Sequence, residues 1–233
     1  MLSEDVMPNR LEVAKDVAAE FVSDRPNDNI GLTIFAGEAF TQCPMTTDHG
    51  TLLNLMRNVN SNLVMSGLIQ DGTAIGMGLS NSISRLKDSK TKSKVIILLT
   101  DGSNNVGDIS PMTAAQMAKT FGIRIYTIGF GTNQMARIPV LVNGQVQYDQ
   151  QQGTIDYKTL QNIASTTSGH FYRAESRSEL SQIYQDIDKL EKSKLTTSSY
   201  AKLYDIYQPF AFVALLSMLL ELLLRLTLFR RIP

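Results

Sequence analysis

The sequence predicts an α/β domain: a mostly parallel sheet with helices on both faces. Three observations point there. Short apolar or β-branched runs alternate with stretches of helical periodicity along Arg10–Leu190, the pattern of a sheet covered by crossover helices. The run VIILL at Val95–Leu99 reads as the most buried strand and ends abruptly on a carboxylate, Asp101. No internal repeat interrupts this order.

Each element has a local reason. Arg10–Val22 places Leu11, Ala14, Val17, Ala18 and Phe21 on one face, with Pro8 just ahead as a start signal. Arg25-Pro26-Asn27-Asp28 is a turn, Ile30–Phe35 a strand, and Ala36-Gly37-Glu38 a tight connection to a strand over Phe40–Cys43. Asp48–Val59 is helical, with Asp48 as N-cap and Leu52, Leu55, Met56 and Val59 inward. Thr73 or Asp71 is placed to cap the helix Ala74–Leu86, whose GMGLS stretch suits close packing on the sheet. A helix starts at Pro111 and runs to Phe121, and Ile123–Ile128 is a strand. Asn143-Gly144 signals a hairpin insertion over about 136–152. Asp156–Ser165 is helical, His170–Arg173 a short strand, and Ser178–Leu190 a helix with Leu180, Ile183, Tyr184, Ile187 and Leu190 inward.

The charge is balanced, with 22 basic and 22 acidic side chains in 233 residues. Nucleic-acid binding needs a clustered positive field, which is absent. His49 and His170 lie in no zinc-ligand spacing. The single cysteine, Cys43, excludes an internal disulfide and reads as a half-buried strand residue without an adjacent histidine to activate it.

The C-terminus changes character. Residues 1–195 form the domain and 196–208 a linker. Pro209–Phe229 then matches the length of about twenty residues that a helix needs to cross a bilayer. Tyr200, Tyr204 and Tyr207 precede it as an aromatic belt would, and Glu221 and Arg225 stand four apart, where a helix pairs them. Arg230 and Arg231, in the tail 230–233, favour a cytoplasmic C-terminus, whereas Lys189, Lys192, Lys194 and Lys202 oppose it. The expectation is an inner-membrane protein with its large domain outside. The start, MLSEDVMPNR, has no apolar core for export.

Asp101 admits three readings. It can terminate a turn by capping local amides. It can serve phosphoryl chemistry, for which Glu38 and Asp71 are the available, poorly placed carboxylate partners. It can join Thr73 in holding a hard divalent cation, which takes oxygen ligands and accepts a partner's acidic side chain. The segment TAIGMGLS is no dinucleotide fingerprint, because it lies within a helical pattern.

IGLTIFAGEAFTQCPMT, DGTAIGMGLSNSISRLKDS, KVIILLTDGSNN and IRIYTIGFGT, in that order, resemble a von Willebrand factor A (VWA) domain of the aerotolerance (Bat) type. The resemblance extends to the C-terminal apolar helix. It implies a Rossmann-like domain with a metal-ion-dependent adhesion site (MIDAS), in which Asp-x-Ser-x-Ser follows the first strand. Thr73 and Asp101 match the second and third elements of that site. The first element is absent, and Met1 resembles the methionine that follows it. This implies an N-terminally truncated chain lacking its first central strand, which would leave the strands at Ile30 and Val95 without their shared neighbour and lower stability. It also accounts for the missing export segment.

The expected function is a non-enzymatic, membrane-anchored interaction module. Mg²⁺ (or Mn²⁺ or Ca²⁺) would be weakly held at Thr73 and Asp101. The resemblance implies sister Bat proteins and a MoxR-type AAA ATPase as partners, in oxidative-stress tolerance or envelope protein assembly. The alternatives are a metal-dependent phosphohydrolase using Asp101 and a metal-independent scaffold.

Overall fold

The computed structural model describes residues 1–61, 70–91, 93–142, 145–153, 155–198 and 208–227. The elements, in order, are α1 (Arg10–Ser23), β1 (Ile30–Phe35), β2 (Ala39–Thr46), α2 (His49–Arg57) and α3 (Ile75–Leu86). Then come β3 (Val95–Thr100), α4 (Pro111–Thr120), β4 (Arg124–Phe130), β5 (Met135–Val142) and β6 (Gln145–Gln152). The last are α5 (Tyr157–Thr166), β7 (Phe171–Ala174), α6 (Arg177–Ser198) and α7 (Gln208–Thr227). The chain divides into two compact units, Met1–Leu195 and Thr196–Pro233.

In the first unit β3, β4 and β7 form a parallel sheet in that spatial order, β1 and β2 an antiparallel hairpin, and β5 and β6 another. The Asn143-Gly144 turn lies outside the described residues, but Val142 stands opposite Gln145 across the second hairpin.

Helices cover both faces, as strand periodicity requires. Ile96, Leu98 and Ile125 pack with Leu79 and Ile83 of α3, the alanines of α4, and Leu160 and Ile163 of α5. On the other face Tyr126, Ile128 and Phe130 pack with Val13 and Val17 of α1 and Leu180 and Ile187 of α6. A smaller cluster joins Val22, Cys43, Leu52 and Met56.

The most buried strand is β4, not β3. Residues Ile125–Phe130 are all buried, whereas β3 alternates buried and half-buried positions. The reason is pairing: β4 has a strand on each side, whereas β3 pairs only with β4. No strand joins β1 to β3 among the described residues.

The inward face of α1 is also rotated from expectation. Its buried residues are Arg10, Val13, Ala14, Val17 and Val22. Asn9 is its N-cap, its side chain accepting from the Glu12 amide at 2.9 Å. Asp48 and Asp156 cap α2 and α5 in the same way, accepting from the Thr51 and Thr159 amides. The close approach expected of α3 is present. A Cβ on Gly76 would stand 1.9 Å from the Ile109 carbonyl oxygen, and one on Gly78 2.9 Å from the Phe35 ring.

The membrane-spanning expectation for 209–229 is corrected. Among the described residues no helix is long and apolar enough to cross a membrane. The helix α7 forms, but its uncharged run Pro209–Leu220 rises only about 18 Å against a hydrocarbon core about 30 Å thick. It is closed by Glu221, and a charged side chain at mid-bilayer is expensive. The inner-membrane placement, with an external domain and a cytoplasmic C-terminus, rested on that span and falls with it.

Candidate functional site

Asp101 follows β3 at the carboxyl edge of the parallel sheet, where open α/β sheets place their ligands. Gly102, its neighbour, faces Thr73: a Cβ built on Gly102 would lie 3.1 Å from the Thr73 hydroxyl oxygen. The structure thus brings the Thr73 side chain against the Asp101-Gly102 turn.

Two asparagines in the loop after β3 hold Thr73 there. The Thr73 amide donates to Asn105 Oδ1 at 2.8 Å, and the Asn105 amide donates to the Thr73 carbonyl at 3.2 Å. Asn104 Oδ1 accepts from the Gly76 amide at 3.3 Å. The capping role expected of Thr73 or Asp71 therefore belongs to Asn104. Ala74 occupies the N-cap position of α3 without a side-chain bond. Gly72, at φ +149°, carries the chain into this turn with Val106 packed where a Cβ would be.

Beneath the rim lies a cationic group that the sequence did not reveal. Arg10 is 1% exposed. Its Nε and Nη2 donate to the two carboxylate oxygens of Asp5 at 2.7 and 2.6 Å, a bidentate pair. Nη1 donates to Asp101 Oδ2 at 3.3 Å, and Nη2 also reaches the Thr132 carbonyl at 3.2 Å. The Met1 ammonium group forms an ion pair with the same Asp101 oxygen. Burial alone would raise the Asp5 carboxyl, but hydrogen bonds and charge from Arg10 outweigh it and hold it below the usual range. Burial likewise works against the Arg10 cation, yet Asp5 and Asp101 together hold its proton more firmly than usual.

Gly131 makes room for this side chain. At φ +110° it has no Cβ, and one would stand 2.2 Å from Arg10 Cζ. Ser3 is buried nearby in sequence, but no hydrogen bond ties its side chain to Asp101.

The other candidates lie apart. Glu38 and Asp71 are exposed, and no hydrogen bond or ion pair joins either to Asp101. His49 Nε2 meets the Asp28 carbonyl at 2.8 Å, and His170 stacks on Tyr126 with centroids 6.1 Å apart. Cys43 is 2% exposed in β2, and burial, aided by Asp48, raises its thiol. Among the described residues no group of three or more His, Cys, Asp or Glu side chains is placed to hold a metal ion.

The model of the von Willebrand factor type A domain matches residues 2–186. The chain belongs to the VWA domain family. An uncharacterized protein of Borreliella burgdorferi is 30% identical to this VWA chain over 207 residues, covering 88% of the chain and 59% of the relative. The chain therefore spans somewhat more than half the length of that curated relative. Among solved structures, BatB from Bacteroides thetaiotaomicron superimposes with a TM-score of 0.70 at 30% identity, covering 82% of this chain and 93% of BatB. Proximal thread matrix protein 1 from the mussel byssus, with a zinc-occupied MIDAS motif, gives 0.60 at 26% identity, covering 82% of this chain and 43% of the mussel protein. The domain is a Bat-like VWA domain.

Proposed function

We propose that the chain is a protein-interaction module whose rim at Thr73 and Asp101 takes an acidic side chain of a partner through a hard divalent cation, Mg²⁺ by preference. The observation that carries this reading is the Thr73 hydroxyl lying against the Asp101-Gly102 turn. Both groups offer oxygen, the donor that Mg²⁺, Mn²⁺ and Ca²⁺ prefer. Two oxygens do not complete such a shell, so affinity from these residues alone is weak. The zinc-occupied motif of the mussel relative supports the same reading by analogy. The bound cation would supply a positive charge that an acidic partner group completes.

The partners proposed are sister Bat proteins and a MoxR-type AAA ATPase, and the setting is oxidative-stress tolerance or envelope protein assembly. BatB among the similar structures supports this choice. A phosphohydrolase is disfavoured because Glu38 and Asp71 are exposed and unconnected to Asp101.

Titration calorimetry with Mn²⁺ tests the assignment. Weak, saturable binding by the chain, abolished in Asp101→Ala and reduced in Thr73→Ala, is expected. Equal heats from the parent and Asp101→Ala would refute it. One observation favours a second reading, a metal-independent scaffold: the Asp101 carboxylate already meets the Arg10 guanidinium. Partner capture that survives both Asp101→Ala and a chelator would select that reading.

A further inference from the structure

The hairpin of β5 and β6 grows from the rim that carries Asp101. β3 and β4 run parallel, with Thr100 beside Gly129, so β4 ends at Phe130 on the same edge as Asp101. The hairpin leaves that edge at Met135 and returns to it at Gln152. Asn133 clasps its two feet: Oδ1 accepts from the Ile155 amide at 3.0 Å, and Nδ2 donates to the Ile155 carbonyl at 3.4 Å. The Glu4 amide donates to the Arg137 carbonyl at 3.0 Å. Asp5, the next residue, shares the Arg10 guanidinium with Asp101. Through so few links, the main chain of Arg137 lies within about 20 Å of Asp101, the reach of about six extended residues.

The two faces of the hairpin differ. Strand alternation puts Met135, Arg137 and Pro139 on one face with Tyr148. Ala136 and Ile138 take the other; Ala136 is buried and Ile138 half-buried, so that face turns towards the domain. The first face is open, with Met135 61% and Tyr148 54% exposed. On it the Arg137 guanidinium lies over the Tyr148 ring, 4.5 Å from its centroid. Among the described residues this guanidinium has no carboxylate partner. Asp149, the acidic residue of β6, stands opposite Ile138 on the other face, and its Oδ1 accepts from the Gln150 amide at 2.8 Å. A guanidinium stacked on an aromatic ring is held in place with its donor fork open, ready for a carboxylate.

We infer that the outward face of this hairpin is a second contact for the acidic partner, where Arg137 on its Tyr148 platform pairs a carboxylate of the same segment that reaches the rim. The inference rests on the cation reading of the rim and adds a determinant of selectivity to it. One carboxylate on a cation carries little information about the protein that bears it. A second carboxylate at a fixed distance, beside an apolar side chain that Met135 and Tyr148 cover, distinguishes one acidic segment from another. Charge sets the class of occupant, because Arg137 is the charged group among the described side chains of this face. The partner segment is therefore acidic, carries interspersed apolar residues, and is long enough to run from Asp101 to Arg137.

The probe is a capped, fluorescent peptide of two Glu-Leu-Glu triplets joined by Gly-Ser-Gly, about nine residues and so long enough for that span. Its control carries Gln in place of each Glu. Binding to the 233-residue chain is read by fluorescence anisotropy, once with Mn²⁺ and once with a chelator. The parent should bind saturably in both, and more tightly with Mn²⁺. Arg137→Gln should weaken binding about tenfold with Mn²⁺ and abolish it with the chelator, while its Mn²⁺ affinity without peptide, by calorimetry, stays that of the parent. Arg137→Lys keeps the charge and loses the planar stack, so it should fall between. Asp101→Ala should lose only the gain that Mn²⁺ gives. Equal peptide affinity in the parent and Arg137→Gln, equal binding of the control, or no binding at all would overturn the inference. So would a loss of Mn²⁺ affinity in Arg137→Gln. An affinity that depends on Arg137 but that Mn²⁺ does not raise would instead refute the cation reading and uphold the hairpin contact.

Discussion

Arg10 Nη1 lies 3.3 Å from Asp101 Oδ2, although 91 residues separate the two along the chain. The same guanidinium grips both oxygens of Asp5. One buried cation thus fixes the first helix to the turn after β3, directly under the rim that carries Thr73.

Removing that cation leaves the Asp5 and Asp101 carboxylates without their shared partner, although solvent still reaches both. Breaking one side of a buried ion pair typically destabilises by about 3–5 kcal/mol. Because solvent reaches Asp5 and Asp101, Arg10→Ala should lower the unfolding free energy, read from urea denaturation, by less than this range. Arg10→Lys keeps the charge but loses the bidentate fork, so its loss should be smaller. Equal stability of Arg10→Ala and the parent would mean that the pair contributes nothing to the fold.

Gly131 is constrained twice, by its positive φ and by the Arg10 guanidinium occupying the place of a Cβ. Gly131→Ala should destabilise by about 1–3 kcal/mol from backbone strain, with a further loss as Arg10 is displaced. In a double-mutant cycle with Arg10→Ala, much of that further loss should disappear. Strict additivity would separate the glycine from the arginine.

Acid stability should depend on Glu191. It is buried near the end of α6, where Tyr126 O–H donates to it at 2.5 Å, Ser93 O–H at 2.9 Å, and Arg124 forms an ion pair with it. Burial would raise its carboxyl, but Tyr126, Arg124 and Ser93 together hold it below the ordinary value. A carboxyl depressed in the folded state contributes stability above its unfolded pKa, about 4.3. That contribution is lost as pH falls through the lower folded value. Glu191→Gln should accordingly be less stable than the parent at pH 7, and the difference should shrink below about pH 4. Urea midpoints measured from neutral to acid pH decide this; a constant offset would exclude the charge as the cause.

Asn104 and Asn105 tie the loop after β3 to the start of α3. Each accepts one backbone amide, so Asn104→Ala and Asn105→Ala should each cost about 1 kcal/mol. Asn105→Ala should also speed exchange of the Thr73 amide, which donates to it. Unchanged exchange there would show that the loop is held by other means.

The sequence reveals what depends on local order. Ile30–Phe35 is found as expected because β-branched residues are bounded by turn formers on both sides. Asp48 and Asp156 were readable as caps, or as helix starts, because each bonds an amide three residues on. Asn104 was not readable, because its amide partner Gly76 lies 28 residues earlier and meets it only once the sheet edge is built. Arg10 was missed for a similar reason. A helical wheel assigns a charged first-turn residue to solvent, and only the folded positions of Asp5 and Asp101 make its burial tolerable. The bilayer span failed on length, since a Glu221–Arg225 pair was taken to make the charges tolerable while the uncharged run Pro209–Leu220 alone is too short to cross.

Cys43 packs with Val22, Leu52 and Met56, is almost fully covered, and has a thiol raised by burial. Burial thus favours its protonated form and shields it from reagents in solution. As the chain's sole thiol, it is also a natural clock. The rate at which a small alkylating reagent marks it records how often the cluster of Val22, Leu52 and Met56 opens.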